Sequence, residues 1–165
     1  MVGGGPPERE LRLRAEDAED LAVISACLQD ALVSVRDLAY DRDQRIFVAV
    51  ANRFRWEGGA IGQGAGGKRA RRPFERTLCG LSFDEVEGVV YRGFRRSEED
   101  RILSLLAIRP MRGPGKGSAG MTIDLEFAGG ATIRLTAGAI RCRVRDFGEP
   151  WPTVWQPGHP LDPSG

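Results

Sequence analysis

The chain has 165 residues, 41% hydrophobic and 28% charged, with a formal net charge of +1. That is the length and composition of one ordinary globular domain, able to bury about two-thirds of its unfolded surface without metal or disulfide staples. The near-neutral balance argues neither for nor against nucleic acid, so local clusters must decide: basic residues crowd into 68–72 and acidic ones into 16–20.

Residues 1–8 are Gly/Pro-rich and read as a disordered tail. One domain is expected over 9–150. Leu11 and Leu13, alternating with arginines, predict a short edge strand. Asp17 then serves as a helix N-cap, with Asp20 accepting at the same end. The cluster Glu16, Asp17, Glu19 and Asp20 suits the positive end of a helix dipole. Leu21, Ile24 and Leu28 recur at i, i+3 and i+7, and Ala31 and Leu32 continue the face. This predicts an amphipathic helix of about four turns. Capping is preferred over a metal site at this acidic start, because no histidine is nearby.

From Val33 the pattern changes to alternation. Residues 33–40 and 45–56 read as a hairpin around a turn at 41–44. On the returning strand Ile46, Val48, Val50, Phe54 and Trp56 share one face, and Phe47, Ala49 and Ala51 the other. A strand apolar on both sides is covered on both sides, so it belongs in the middle of a sheet. By this alternation Phe54 and Trp56 join the core, and Arg53 and Arg55 point outward.

Residues 58–72, GGAIGQGAGGKRARR, carry no apolar periodicity. A flexible Gly/Arg-rich loop is expected over 58–73. Thr77, Cys79, Leu81 and Phe83 then share one face of a strand. Residues 86–94 make another, with Val90 and Phe94 opposite Val89 and Tyr91. A charged connection at 95–101 leads to a second central strand at 102–108, apolar on both faces. Residues 109–120, with Pro110 and Pro114, read as a loop. Ile123, Leu125 and Phe127 alternate with Thr122, Asp124 and Glu126; Gly129-Gly130 turns; Ile133 and Leu135 return. Ile140, Cys142 and Val144 alternate with Arg141, Arg143 and Arg145, which reads as a last strand, although Ile140, Val144 and Phe147 also fit a helical face. Residues 151–165 hold too many prolines for regular structure, and Trp151 and Trp155 are placed to anchor that tail.

The sum is an α+β fold: one N-terminal helix with a mostly antiparallel sheet of seven to eight strands, curled into a roll or barrel. The cysteines Cys27, Cys79 and Cys142 are odd in number, far apart and in no CxxC pair. They form neither a disulfide framework nor a zinc module, and each sits in an apolar pattern where a reduced thiol packs as a small hydrophobe. The start MVGGGPPERELRLR has no apolar core of a secretory signal, and no apolar run approaches the roughly 18 residues of a membrane span. A reduced, cytoplasmic protein without membrane association is expected.

Two phosphate-loop patterns occur in the glycine tract. Gly62, Gly64 and Gly67 match a dinucleotide fingerprint, and Gly62 to Gly67 followed by Lys68 matches most of a Walker loop. Both fail on mechanism. The phosphate needs a helix opened by the loop, yet KRARRP follows, and Arg69 stands where the Walker pattern needs Ser or Thr. Lys68, Arg69, Arg71 and Arg72 can neutralise phosphates, but a solvated polar loop explains them as well. The alternation Arg53, Phe54, Arg55, Trp56 suggests a base-stacking surface, against which strand periodicity puts the two aromatics in the core. The row Arg141, Arg143, Arg145 is expected to face Asp124 and Glu126 or solvent. Catalysis lacks a constellation. His159 is the sole histidine and lies in the Pro/Gly tail, zinc lacks ligands, and the acids Asp84/Glu85 and 98–100 fall in turns.

Several segments together resemble a family of small proteobacterial proteins, domain-of-unknown-function number 2948. They are Asp20-Leu21 with Ser25-Ala26 and 28–31; then Asn52-Arg53-Phe54-x-Trp56-Glu57; and late Ile133-Arg134-Leu135 with 146–151, DFGEPW. The resemblance covers most of the chain outside the tails and the glycine tract. It implies a bacterial cytoplasmic protein of uncharacterised function and carries no catalytic or binding residues.

The favoured reading is a non-enzymatic binding or protein-interaction domain, marked by an exposed apolar patch or an open sheet edge. The alternative is a nucleic-acid-associated protein using the basic loop 68–72 and the arginines of the 52–57 strand end, and an enzyme of unknown class ranks third. A binding surface is placed at Asn52, Arg53, Arg55 and Glu57 with Lys68, Arg69, Arg71 and Arg72. No catalytic residue, cofactor or metal is assigned.

Overall fold

The computed structural model describes residues 10–54, 76–112 and 120–147. In chain order it has β1 (Arg12–Ala15), α1 (Ala18–Cys27), β2 (Leu32–Asp41), β3 (Ile46–Phe54), β4 (Arg76–Phe83), β5 (Val86–Arg92), β6 (Ile102–Arg112), β7 (Met121–Phe127), β8 (Thr132–Ala137) and β9 (Cys142–Asp146). The nine strands form one sheet in the order β1-β9-β4-β3-β2-β6-β7-β8-β5, antiparallel throughout. The α+β class and the single N-terminal helix are as the sequence predicts. Among the described residues the strand count is nine rather than seven or eight, and the sheet is not closed into a barrel: β1 and β5 are left as its two ends.

The helix is shorter than its apolar spacing suggests. Asp17 caps it through Oδ1, which accepts from the Asp20 N–H at 2.8 Å. Leu21, Ile24 and Leu28 are buried as expected. Ala31 and Leu32 are not helical. At Asp30 the backbone turns left-handed (φ 68°), its N–H donates to Leu105 O, and Ala31 O accepts from Leu105 N–H. Hydrogen bonds to β6 thus replace the next helical turn, and the same apolar residues lead into β2 instead.

β6 links the two halves of the sheet. Its first residues, Ile102 to Ser104, pair with β2, and the rest pairs only with β7. The strand continues through Pro110, where a loop is expected from the prolines. Ile108 turns its N–H away from β7, to Ser25 Oγ of α1 at 2.9 Å. Pro110, two residues on, points its imide nitrogen to the same side, so it has no ladder bond to lose.

The main core draws on α1 and both halves of the sheet, with Phe47, Leu81, Phe83, Leu105, Ile123, Leu125 and Ile133 almost fully enclosed. β3 is covered on both sides, as predicted. The faces are the reverse of the expected ones. Phe47, Ala49, Ala51 and Arg53 turn to the main core. Val48 and Val50 make a small separate cluster with Ala39, Ile46 and Phe147. A strand apolar on both faces gives periodicity no means of ranking them. Within 139–147 the regular element is a strand, β9, because β1 and β4 pair with it on either side.

Candidate functional site

Of the eight residues placed at a binding surface, Asn52 and Arg53 lie within the described residues. Arg55, Glu57, Lys68, Arg69, Arg71 and Arg72 lie outside them, as do the glycine tract, Trp56 and His159. Arg53 is wholly buried, which corrects its outward assignment. Its guanidinium forks onto Asp146, Nε to Oδ1 at 2.9 Å and Nη2 to Oδ2 at 2.8 Å, while Nη1 donates to Phe54 O. Asp146 Oδ2 also accepts from Leu11 N–H at 2.8 Å, and Leu11 O accepts from Asp146 N–H. This bidentate pair clasps β3 to β9 across β4 and holds the start of β1. Fully engaged and enclosed, it serves cohesion rather than ligand capture. Asn52, half-buried, is held by Arg76, whose Nη1 donates to Asn52 O and Oδ1 while the guanidinium lies 3.8 Å from the Phe54 ring centre.

Asp146 carries no role in the sequence reading, yet the signal is present. It shares its strand face with Cys142 and Val144, and Arg53 shares its face with Ala49 and Ala51. One charge in core parity on each of two strands is the signature of a buried pair.

Arg141 and the arginines of β9 do not meet Asp124 and Glu126. Asp124 holds Arg134 bidentately, both bonds 2.8 Å, and Glu126 holds Arg109 at 3.0 Å. Because β9 lies between β1 and β4, Arg141 reaches Glu85 at 2.7 Å and Arg143 approaches Asp84 at 3.6 Å, both acids in the β4–β5 turn. Across the β1–β9 ladder Arg12 stands opposite Arg145 and Arg14 opposite Arg143, like charges that repel. A groove of about 150 Å³ between Arg14, Arg141, Arg143, Glu16 and Asp84 is well below the roughly 300–1,000 Å³ of ligand pockets. Among the described residues, Arg143 Nε is a buried donor with no hydrogen-bond partner.

The thiols are free. Burial pushes Cys79 up to about 12, with Arg53 offsetting part of the shift, and burial also raises Cys142. Burial therefore favours the protonated thiol at both positions. Among the described residues no three His, Cys, Asp or Glu side chains gather as metal ligands.

The feature that meets the criterion for a docking surface is the edge of β5, which no other described strand pairs. Val86, its first residue, turns its backbone away from β8: its N–H donates to Arg45 O, and its O accepts from Tyr40 Oη at 2.7 Å. A bulge between Val86 and Gly88 adds one residue, after which Gly88 to Arg92 pair with β8 in regular register. Alternation then points the N–H and C=O of Gly88, Val90 and Arg92 to β8, and those of Val89 and Tyr91 outward. No described residue bonds these outward groups. The side chains of Val89 and Tyr91 lean onto the core, where burial raises the Tyr91 pKa and Arg96 offsets part of the rise. Val90 stands on the opposite face, 49% exposed, between exposed Glu87 and Arg92.

A family model described as "Protein of unknown function (DUF2948)" matches residues 11–159 of the chain. No curated protein and no solved structure matches it.

Proposed function

The chain belongs to the DUF2948 family, a family of unknown function, and we propose that it is a cytoplasmic, non-enzymatic interaction domain that docks a protein partner along the edge of β5. One observation carries this reading: a sheet end whose outward groups at Val89 and Tyr91 have no bonding partner among the described residues, beside the exposed Val90. Strand addition to such an edge supplies main-chain hydrogen bonds, and flanking side chains supply specificity. The free thiols support the compartment.

A second reading, nucleic-acid association, is favoured by the arginines paired across β1 and β9. A photo-crosslinking residue placed in living cells at Glu87, at Glu16 beside the arginine groove, or at Asp43 in the β2–β3 turn separates the two. The docking reading expects protein adducts from Glu87 and none from Asp43. Nucleic-acid adducts from Glu16, with none from Glu87, would replace it by the second reading.

A further inference from the structure

Resting on that reading, we propose that the strand docked on β5 is β5 of a second copy of this chain, paired antiparallel about a two-fold axis through Val90. The open stretch of edge is short and bounded at both ends. At one end Val86 is engaged by Arg45 and Tyr40. At the other, Gly93 turns the chain at φ 80°, where an added Cβ would lie 2.7 Å from Gly130 O. The window is therefore residues 88–92, and one register pairs the whole window with a copy of itself. In that register Val90 meets Val90 of the second copy, Val89 meets Tyr91, and Gly88 meets Arg92.

Each of these juxtapositions is favourable. Val89 and Tyr91, both with outward N–H and C=O groups, exchange N–H···O bonds on both sides of the axis. The two Val90 side chains then fall at a non-hydrogen-bonded position, where cross-strand side chains come closest, and each covers the exposed surface of the other. Arg92 lies across from Gly88, where the space above Cα is empty to 4 Å, so its side chain passes over Gly88 to the neighbouring Glu87. Glu87 and Arg92 are both exposed in a single copy. The contact is isologous: each Glu87–Arg92 pair occurs twice, and the bulge before Gly88 stops the pairing from running on into a longer sheet. A window this short makes a weak dimer that forms with rising concentration.

Sedimentation velocity over a concentration series tests this with Glu87→Arg, Arg92→Glu, the double reversal, and Val90→Asp. All three sites are exposed, and circular dichroism checks that each of the four variants is folded. The expected result is a reversible monomer–dimer equilibrium. Each single reversal puts two like-charge contacts into the dimer and weakens it roughly tenfold. The double reversal restores it to within about threefold, and Val90→Asp abolishes it. A dimer unmoved by either reversal would use another surface and overturn the proposal. A chain monomeric at every concentration would also overturn it; foreign-protein adducts at Glu87 would then leave the docking reading standing, and no adducts there would remove both.

Discussion

Asp146→Ala is expected to destabilise the fold by about 3–5 kcal/mol, among the largest effects of any single substitution in the protein. The reason is what remains. Arg53 is wholly enclosed, and two of its guanidinium bonds end on the lost carboxylate. Without it a cation stays buried and loses its bidentate partner, though Phe54 O still accepts from it, and the Leu11 N–H also loses a partner. The native pair is itself a weak net contributor, because taking both charges out of water offsets most of their attraction. Arg53→Met combined with Asp146→Leu should therefore be much milder than Asp146→Ala alone. Urea unfolding of the four proteins measures the coupling. A loss below about 1 kcal/mol for Asp146→Ala would mean that water reaches Arg53 and that the clasp is not enclosed.

Phe47→Ala is expected to cost about 3–5 kcal/mol by the same measurement. Phe47 is fully buried, stands in register with Phe83 on β4, and its ring centre lies 6.5 Å from that of Phe83. Cys142 of β9 is next in the same row. Truncation opens a cavity under three strands whose backbones are locked by their ladders and cannot collapse into it. Phe54→Ala, near the other end of β3, should cost only about 1 kcal/mol, mostly the stacking of Arg76 over its ring. Reading the strand with Phe54 in the core would reverse this order, so the pair tests the facing of β3 directly.

Much of the fold is legible in the sequence because it is written in local pattern. Asp17 announces the helix, alternation marks the β2–β3 and β7–β8 hairpins, and Ile140, Cys142 and Val144 mark β9. What is not legible depends on distant partners. The helix stops at Cys27 because Leu105, far along the chain, takes the bonds of Asp30 and Ala31. Pro110 stays in a strand because α1, not another strand, lies beside that half of β6. Arg53 turns inward because Asp146, 93 residues later, waits on the same side. The arginine–aromatic alternation at 53–56 looks like a surface motif only while that acid is out of view. The β5 edge was equally hidden. Residues 86–92 read as an ordinary strand, and nothing local says that the sheet ends there.

The most direct test of β5 as a docking edge is amide hydrogen exchange, residue by residue, along residues 86–92. In the dilute chain Val86, Gly88, Val90 and Arg92 are expected to exchange slowly, with Val89 and Tyr91 near unprotected rates. When the chain is concentrated, or bound to the partner that crosslinks at Glu87, Val89 and Tyr91 become as protected as Val90. Protection of both amides already in the dilute chain, or no gain of protection in the complex, would contradict the account.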